Sequence, residues 1–226
     1  MIKYRLLLRT ARNLSRGGFT LVELLVVIGI IAILAGVALG PITRGLQKGA
    51  QSAGVQTSRT IAIAEFQYAG DNNNNYPDLS SGKAVNIAQI LMGSGGGAVY
   101  ISDPSTFTIN GASEKKYTGS SPASGIANAN ISWDFGGNSG GGLNPNTSDL
   151  MPVVWSSVSA TATPTLTGSG PITVSLYASA PFGTSGVAVT YHSNSAKFIT
   201  QPSGAPNLCD PSFPANASNS VLPGNG

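Results

Sequence analysis

The chain has 226 residues, of which only 9% are charged, a length that suits one domain with a hydrophobic core after a terminal segment is set aside. The net charge of +3 comes from an N-terminal basic cluster, Lys3, Arg5, Arg9, Arg12 and Arg16. The remainder carries no basic patch, which excludes a typical nucleic-acid-binding protein, and the single cysteine excludes an intramolecular disulfide and a multi-cysteine zinc site.

The first predicted element is a nearly continuous apolar segment from Phe19 to Leu39. As a helix it is about 32 Å long, enough to span a hydrocarbon core. The basic cluster before it predicts an N-terminus on the cytoplasmic side. Glu23 is the one charged residue of the segment, and a carboxylate at full membrane depth costs on the order of 2.5 to 3.5 kcal/mol. The alternative interpretation is a secretory signal peptide, which has no reason to carry a residue with that cost.

The run Gly18-Phe19-Thr20-Leu21-Val22-Glu23, followed by an unbroken apolar helix, resembles the type III signal of type IV pilins and of type II secretion pseudopilins. The resemblance implies that a prepilin peptidase cuts between Gly18 and Phe19, that the new amino group of Phe19 is N-methylated, and that Glu23 serves in assembly. It also implies the partners: other copies of the chain, minor pseudopilins or pilins, and an inner-membrane assembly platform.

Elementary electrostatics gives Glu23 a role of the same kind. Cleavage would create a positively charged α-amino group at the end of an apolar helix. A buried cation and a buried carboxylate are each costly alone and become tolerable as a pair. Glu23 can pair with Phe19 of its own helix, four residues away, or with the amine of a neighbouring subunit, which would fix the register of a filament. Both pairings stay open.

Gly40 and Pro41 predict a break or bend in the helix, because proline removes a backbone donor and clashes with the preceding turn. Beyond them, apolar residues recur every three or four positions, which predicts an amphipathic continuation docked on a globular domain and ending near Gly70. The predicted organisation is a cleaved leader, a transmembrane or filament-core helix, an amphipathic helix and a β-rich globular region with an irregular tail. The respective ranges are 1–18, 19–40, 41–70 and 71–226.

The segment EFQYAGDNNNNYPD, Glu65 to Asp78, resembles the end of the long helix in G-type pseudopilins and in their relatives from planctomycete and verrucomicrobial lineages. Oxygen ligands of the kind that calcium prefers are present there on Asp71, Asn72, Asn74 and Asp78. Their spacing is not that of an EF-hand loop. We therefore expect a solvated transition from helix to loop and no cofactor, with calcium as the alternative.

The rest of the chain predicts strands and long loops, with one short helix at Lys83 to Met92. The predicted strands are NISWDF, MPVVWSS, ITVSLYA, GVAVTYH and AKFIT, the last two joined as a hairpin around Ser193-Asn194-Ser195. Gly/Ser/Asn-rich loops are predicted at 93–97 and 136–149. The expected fold is α+β and pilin-like, a long N-terminal α-helix packed on a small antiparallel β-sheet.

The sequence predicts no enzyme. His192 is the only histidine, which excludes two-histidine metal sites, and we expect it on the surface. The glycine-rich stretches lack the ending of a phosphate-binding loop, and no paired carboxylates suggest a glycosidase. The aromatic residues Trp133, Trp155, Tyr117 and Tyr177 are expected in packing rather than in a binding surface.

The predicted function is that of a structural subunit of a type II secretion pseudopilus. Cys209 is unpaired and cannot close the C-terminal disulfide loop of many type IV pilins. The alternatives are a type IV pilin for adhesion, motility or DNA uptake, and a membrane-tethered extracellular binding protein. We expect a single-pass protein in the lipid bilayer of the inner membrane, its C-terminal domain periplasmic or extracellular, which then enters a filament.

Overall fold

The computed structural model describes residues 18–77, 84–112, 114–136, 143, 149–157, 181–200 and 208. The chain divides into two compact units, Met1–Leu46 and Gln47–Gly226. One long helix, α1 (Leu21–Asp71), contributes residues to both units. The second unit adds a small antiparallel sheet, so the predicted α+β class is confirmed.

Helix α1 carries Pro41 in its interior and does not end there. Because proline has no N–H to donate to the carbonyl of Val37, one helical hydrogen bond is missing while the helix continues on both sides. The hydroxyl of Thr43 donates to the carbonyl of Gly40 at 2.9 Å, which adds a local bond beside the missing one. Helix α1 is therefore not interrupted at Gly40 and Pro41, and the bend predicted there stays a prediction.

Helix α1 ends at Asp71, one residue beyond the predicted end. The residues that turn the chain are Asn73 and Asn74, with left-handed φ angles of 55° and 60°, rather than Gly70. The amide of Asn74 donates to the carbonyl of Ala69 at 2.8 Å, as in helix C-termini closed by a left-handed residue. Asparagine adopts this conformation more readily than most residues, which explains the asparagine run.

The four strands are β1 (Trp133–Phe135), β2 (Pro152–Ser156), β3 (Val187–Tyr191) and β4 (Ala196–Ile199). They pair antiparallel in the order β1-β2-β3-β4. The predicted hairpin between β3 and β4 is confirmed, and Asn194 in its turn has a φ of 60°. The predicted strand ITVSLYA lies outside the described residues.

The remaining described elements are short helices and turns. Helix α2 (Ala84–Leu91) confirms the short helix predicted from the sequence, and α3 (Pro122–Gly125) is a single turn. The predicted loop at 93–97 contains one 3₁₀ turn, Ser94–Gly96. Most of the loop at 136–149 and of the C-terminal tail lies outside the described residues, although Leu208 is fully buried in the core.

The second half of α1 packs against the sheet through small and polar side chains. The hydroxyls of Ser58 and Thr190, on β3, lie 2.8 Å apart in a buried hydrogen bond. Strands β2 and β3 are buried at every position, whereas period-two alternation is typical of strands with one exposed face. The largest fully buried side chains are Trp133, Trp155, Tyr191, Phe107, Phe135, Ile61, Ile87, Leu91, Ile131 and Leu208.

Candidate functional site

The N-terminal end of α1 holds Glu23 in a defined hydrogen-bond arrangement. Its Oε2 accepts from the backbone N–H of Thr20 at 2.8 Å and from the Thr20 hydroxyl at 2.9 Å. The backbone N–H of Glu23 donates in return to Thr20 Oγ1 at 3.2 Å. This reciprocal pattern is a capping box, in which Thr20 caps the helix and Glu23 is the third residue inside it.

The capping box gives Glu23 a role in the uncut chain. The first N–H groups of a helix have no partner within it, and a carboxylate beside them interacts favourably with the positive end of the helix dipole. In the intact chain the nitrogen of Phe19 is a peptide amide, so the predicted charge pair between Phe19 and Glu23 requires cleavage first. The sequence analysis did not single out Thr20, although the Thr-x-x-Glu spacing before an apolar run is a capping-box signature.

The apolar half of α1 is uncovered. Every residue from Gly18 to Ala50 is exposed. The exposed large apolar side chains are Phe19, Leu21, Val22, Leu24, Leu25, Val26, Val27, Ile28, Ile30, Ile31, Ile33, Leu34, Val37, Leu39, Ile42 and Leu46. Within the described part of the chain, α1 is the one helix long and apolar enough to cross a membrane. Apolar surface of this extent is unfavourable in water, so lipid or other protein must cover it.

Glu65, in the other half of α1, is a buried carboxylic acid that the sequence analysis did not single out. It is 1% exposed, and its Oε2 has no hydrogen-bond partner among the described residues. Burial raises the pKa of the Glu65 carboxyl well above its ordinary value, because the charged form is poorly solvated there. A signal was present in the sequence: Glu65 stands four and seven residues after Ile61 and Ser58, on the docked face of the helix.

Three side chains from separate parts of the chain meet in the same unit. The rings of Tyr76 and His192 have centroids 5.4 Å apart and an interplanar angle of 48°. Asp149 Oδ1 lies 3.2 Å from Nδ1 of His192. Burial, reinforced by the negative charges of Glu65 and Asp149, raises the pKa of Tyr76 to about 12. The side chain of His192 is 14% exposed, so it is more covered than the surface position predicted from the sequence.

The candidate calcium ligands are partly engaged in hydrogen bonds within the protein. Asp71 Oδ2 accepts from the Tyr100 hydroxyl at 2.8 Å. The side-chain amide of Asn72 donates to the Tyr68 carbonyl at 2.8 Å. Asn74 lines a surface cleft, and Asp78 lies outside the described residues. In the described part of the chain, no group of three or more His, Cys, Asp or Glu side chains lies close enough to hold a metal ion.

The candidates for catalysis or binding are His192 and four aromatic residues. His192 pairs with Asp149, but among the described residues no serine or threonine hydroxyl is hydrogen-bonded to its ring. Trp133 and Trp155 are fully buried, which confirms their predicted packing role. Tyr117 is half-buried against the core, and Tyr177 lies outside the described residues.

A family model described as the prokaryotic N-terminal methylation motif matches residues 13–39. The match covers the end of the leader, the junction of Gly18 and Phe19, and the apolar half of α1 through Leu39. It confirms the resemblance at the level of the N-terminal signal and does not extend to the finer likeness around Glu65 to Asp78. No curated protein and no solved structure matches the chain.

Proposed function

We propose, from the premise that this chain is a prepilin-type protein, that it is a structural subunit of a type II secretion pseudopilus. The motif indicates processing by prepilin peptidase and assembly with other pilin-type subunits. The observation that carries the proposal is the exposed apolar half of α1 with a single carboxylate, Glu23, in its first turn. A simple membrane anchor can use Glu23 only as a helix cap, whereas a filament core can also pair its charge with an amine.

In this proposal the cleavage step changes the partner of Glu23. Hydrolysis between Gly18 and Phe19 leaves a carboxylate on Gly18 and an amino group on Phe19, which is then N-methylated. The positive charge arises on Phe19, one residue before Thr20. The Glu23 carboxylate already accepts a hydrogen bond from the N–H of Thr20 at 2.8 Å. The carboxylate is thus held near its new partner, either the amine of its own chain or that of a neighbouring subunit. The second pairing fixes axial register in a filament.

The proposed location is the inner membrane, followed by the filament. One N-terminal apolar helix together with the methylation motif fits a single-pass anchor. The basic cluster that precedes the helix supports a cytoplasmic N-terminus. The unit Gln47–Gly226 would then lie on the opposite side, periplasmic or extracellular.

Two other functions remain as alternatives to the pseudopilus. The unpaired Cys209 supports a pseudopilin over a type IV pilin for adhesion, motility or DNA uptake, because a single cysteine cannot close a disulfide loop. A membrane-tethered extracellular binding protein would use the same anchor and the same second unit. It would use Glu23 only as a helix cap and not as a charge, so the filament subunits account for more of the site.

The test compares the wild-type protein with Glu23→Ala and Glu23→Gln, each expressed with a prepilin peptidase and an assembly platform. Glutamine at this position retains a capping-box acceptor and removes the charge, so it separates capping from ion pairing. We expect all three chains to give the mass of an N-methylated Phe19 terminus by mass spectrometry. Removing one partner of a buried ion pair costs about 3 to 5 kcal/mol, so incorporation of both variants into sheared filaments should fall by at least about a hundredfold.

Each alternative has a distinct result. A mature N-terminus near Leu39 or Pro41 would identify a secretory signal peptide and overturn the proposal. Normal incorporation of Glu23→Ala into filaments would overturn the pairing of Glu23 with an amine, whereas absence of the wild-type protein from filaments would favour a tether. Normal incorporation of Glu23→Gln alone would show that the carboxylate acts as a helix cap and not as a charge.

A further inference from the structure

Two clefts that share three lining side chains lie in the unit Gln47–Gly226. One has a volume of about 280 Å³ and the other about 250 Å³. Both are lined by Phe66, Tyr76 and His192, the first also by Tyr191. We call this pair of clefts the aromatic groove. The proposed filament function makes no use of it.

The described rings that line the groove differ in exposure: Tyr76 is 7% exposed and Tyr191 1%, and the side chain of His192 is 14% exposed. Phe66 is 68% exposed. The rings of Tyr76 and His192 form an angled wall, with their centroids 5.4 Å apart. The ring of Tyr191 already contacts a cation, since Lys197 Nζ lies 4.8 Å from its centroid. Aromatic faces carry a negative electrostatic potential that attracts cations, most strongly where water is partly excluded.

The charges around the groove favour a positively charged ligand. Asp149, whose side chain is 77% exposed, lies 3.2 Å from His192. Among the described residues that line the two clefts there is no lysine or arginine, and Lys197 is held at the ring of Tyr191.

We propose that the aromatic groove binds an organic ammonium group, the chemistry shared by choline-like molecules and by the lysine side chains of peptides. Phe66 supplies an exposed ring face, Tyr76 and His192 form a wall of the clefts, and Asp149, beside His192, supplies the opposite charge. Asn74 and Asn194 line the polar ends of the clefts and can orient the remainder of the ligand. This binding belongs to the second unit and does not depend on filament assembly.

The experiment measures ligand binding by the full-length protein in non-ionic detergent micelles, using calorimetry and ligand-observed NMR. The probes are choline, the uncharged alcohol in which carbon replaces the choline nitrogen, and N-acetyl-lysine methylamide. We expect a charged probe to bind at least about tenfold more tightly than the uncharged alcohol, because the two choline-shaped molecules differ only in the charge. Preference for choline assigns the ligand to small molecules, and preference for the lysine derivative assigns it to peptides.

Matched variants locate the binding. Phe66→Ala and Asp149→Asn change exposed side chains, and each should weaken binding of the preferred cation about fivefold or more. The controls are Ile63→Ala, an exposed apolar residue of α1 that does not line the groove, and Asp103→Asn, an exposed carboxylate elsewhere. Both controls should bind as the wild type does. Equal binding of the uncharged alcohol, unchanged binding in both groove variants, or no binding of either cation at millimolar concentration would overturn the proposal.

Discussion

At Glu65 the chain buries an acid that water would solvate. The residue is 1% exposed, and its Oε2 has no partner among the described residues. Burial of a carboxyl in this way favours the protonated form and costs stability as the pH rises. The unfolded chain ionises above about pH 4.5, the ordinary value, while the folded chain holds its proton up to its own raised pKa. Between these two values, the free energy of unfolding falls with increasing pH.

Glu65→Gln should therefore flatten the pH dependence of stability. Above about pH 4.5 the free energy of unfolding of the wild-type protein should fall relative to that of the variant, by at most about 1.4 kcal/mol per pH unit. Near pH 4 the two proteins should be closest in stability, because Glu65 is protonated in both states there. Urea unfolding in detergent micelles, followed by the fluorescence of Trp133 and Trp155, measures the effect.

Glu114→Gln is the matched control for this experiment. Ser132 donates a hydrogen bond to Glu114 Oε2 at 3.0 Å, whereas Glu65 Oε2 has no partner among the described residues. We expect the control to retain the pH slope of the wild type. If the free energy of unfolding changed with pH equally in Glu65→Gln and in the wild type, Glu65 would be solvated in solution.

At the scale of the element, the glycines of α1 have unequal roles. A Cβ on Gly54 would overlap the ring of Phe182, which also stacks edge-on against Phe198 with centroids 5.2 Å apart. A Cβ on Gly49 would meet nothing within 4 Å. The first glycine therefore admits a ring against the helix backbone, whereas the second only lowers helix propensity.

Alanine substitutions at these two glycines should act in opposite directions. Gly49→Ala should stabilise the protein by up to about 1 kcal/mol, because alanine favours the helix. Gly54→Ala gains the same propensity but displaces Phe182, and overpacking of this kind costs about 1 to 3 kcal/mol. We expect a net loss at Gly54, measured by thermal unfolding under identical conditions. A gain of equal size at both positions would show that the Phe182 contact contributes nothing.

At the scale of the whole molecule, the two units differ in what stabilises them. Every buried residue among those described lies at Gly54 or beyond, so the unit Gln47–Gly226 has a hydrophobic core of its own. The unit Met1–Leu46 exposes its apolar side chains and has no buried residue in its described part. The first unit therefore needs an apolar surrounding, and the second needs only its own packing.

The fragment 47–226 should fold without detergent. It retains all of the described core, so we expect a soluble monomer by gel filtration with a near-ultraviolet circular dichroism spectrum that indicates fixed aromatic side chains. A fragment that begins at residue 72 is the control, because it loses the docked face of α1, including Ile61, which is fully buried. That shorter fragment should aggregate or lack tertiary signal, and a folded one would mean that α1 is dispensable to the core.

Features encoded by neighbouring residues were predictable from the sequence. The signal around Gly18, Phe19 and Glu23 occupies six adjacent residues, and the hairpin of β3 and β4 needs only a short turn at Asn194. The continuity of α1 through Pro41 was not predictable from the local proline rule, because the helix continues on both sides. Losing one hydrogen bond does not require a new nucleation event in a long helix.

Features that depend on distant residues were not predictable in the same way. Ser58 meets Thr190 across 132 positions, and the burial of Glu65 follows from that docking. An acid in an amphipathic helix ordinarily faces water, so its position on the docked face was the only local indication. The meeting of Tyr76, Asp149 and His192 likewise requires the folded topology, because no spacing rule joins three separate loops.

The missing hydrogen bond at Pro41 has a mechanical consequence. Each turn of α1 resists stretching through bonds parallel to the helix axis, and the carbonyl of Val37 has no such bond to Pro41. Under tension along the axis, we expect the turn between these residues to open before the turns that retain all their bonds. A filament built on such helices would lengthen first at one depth in every subunit, and it would recover its length when the load is removed.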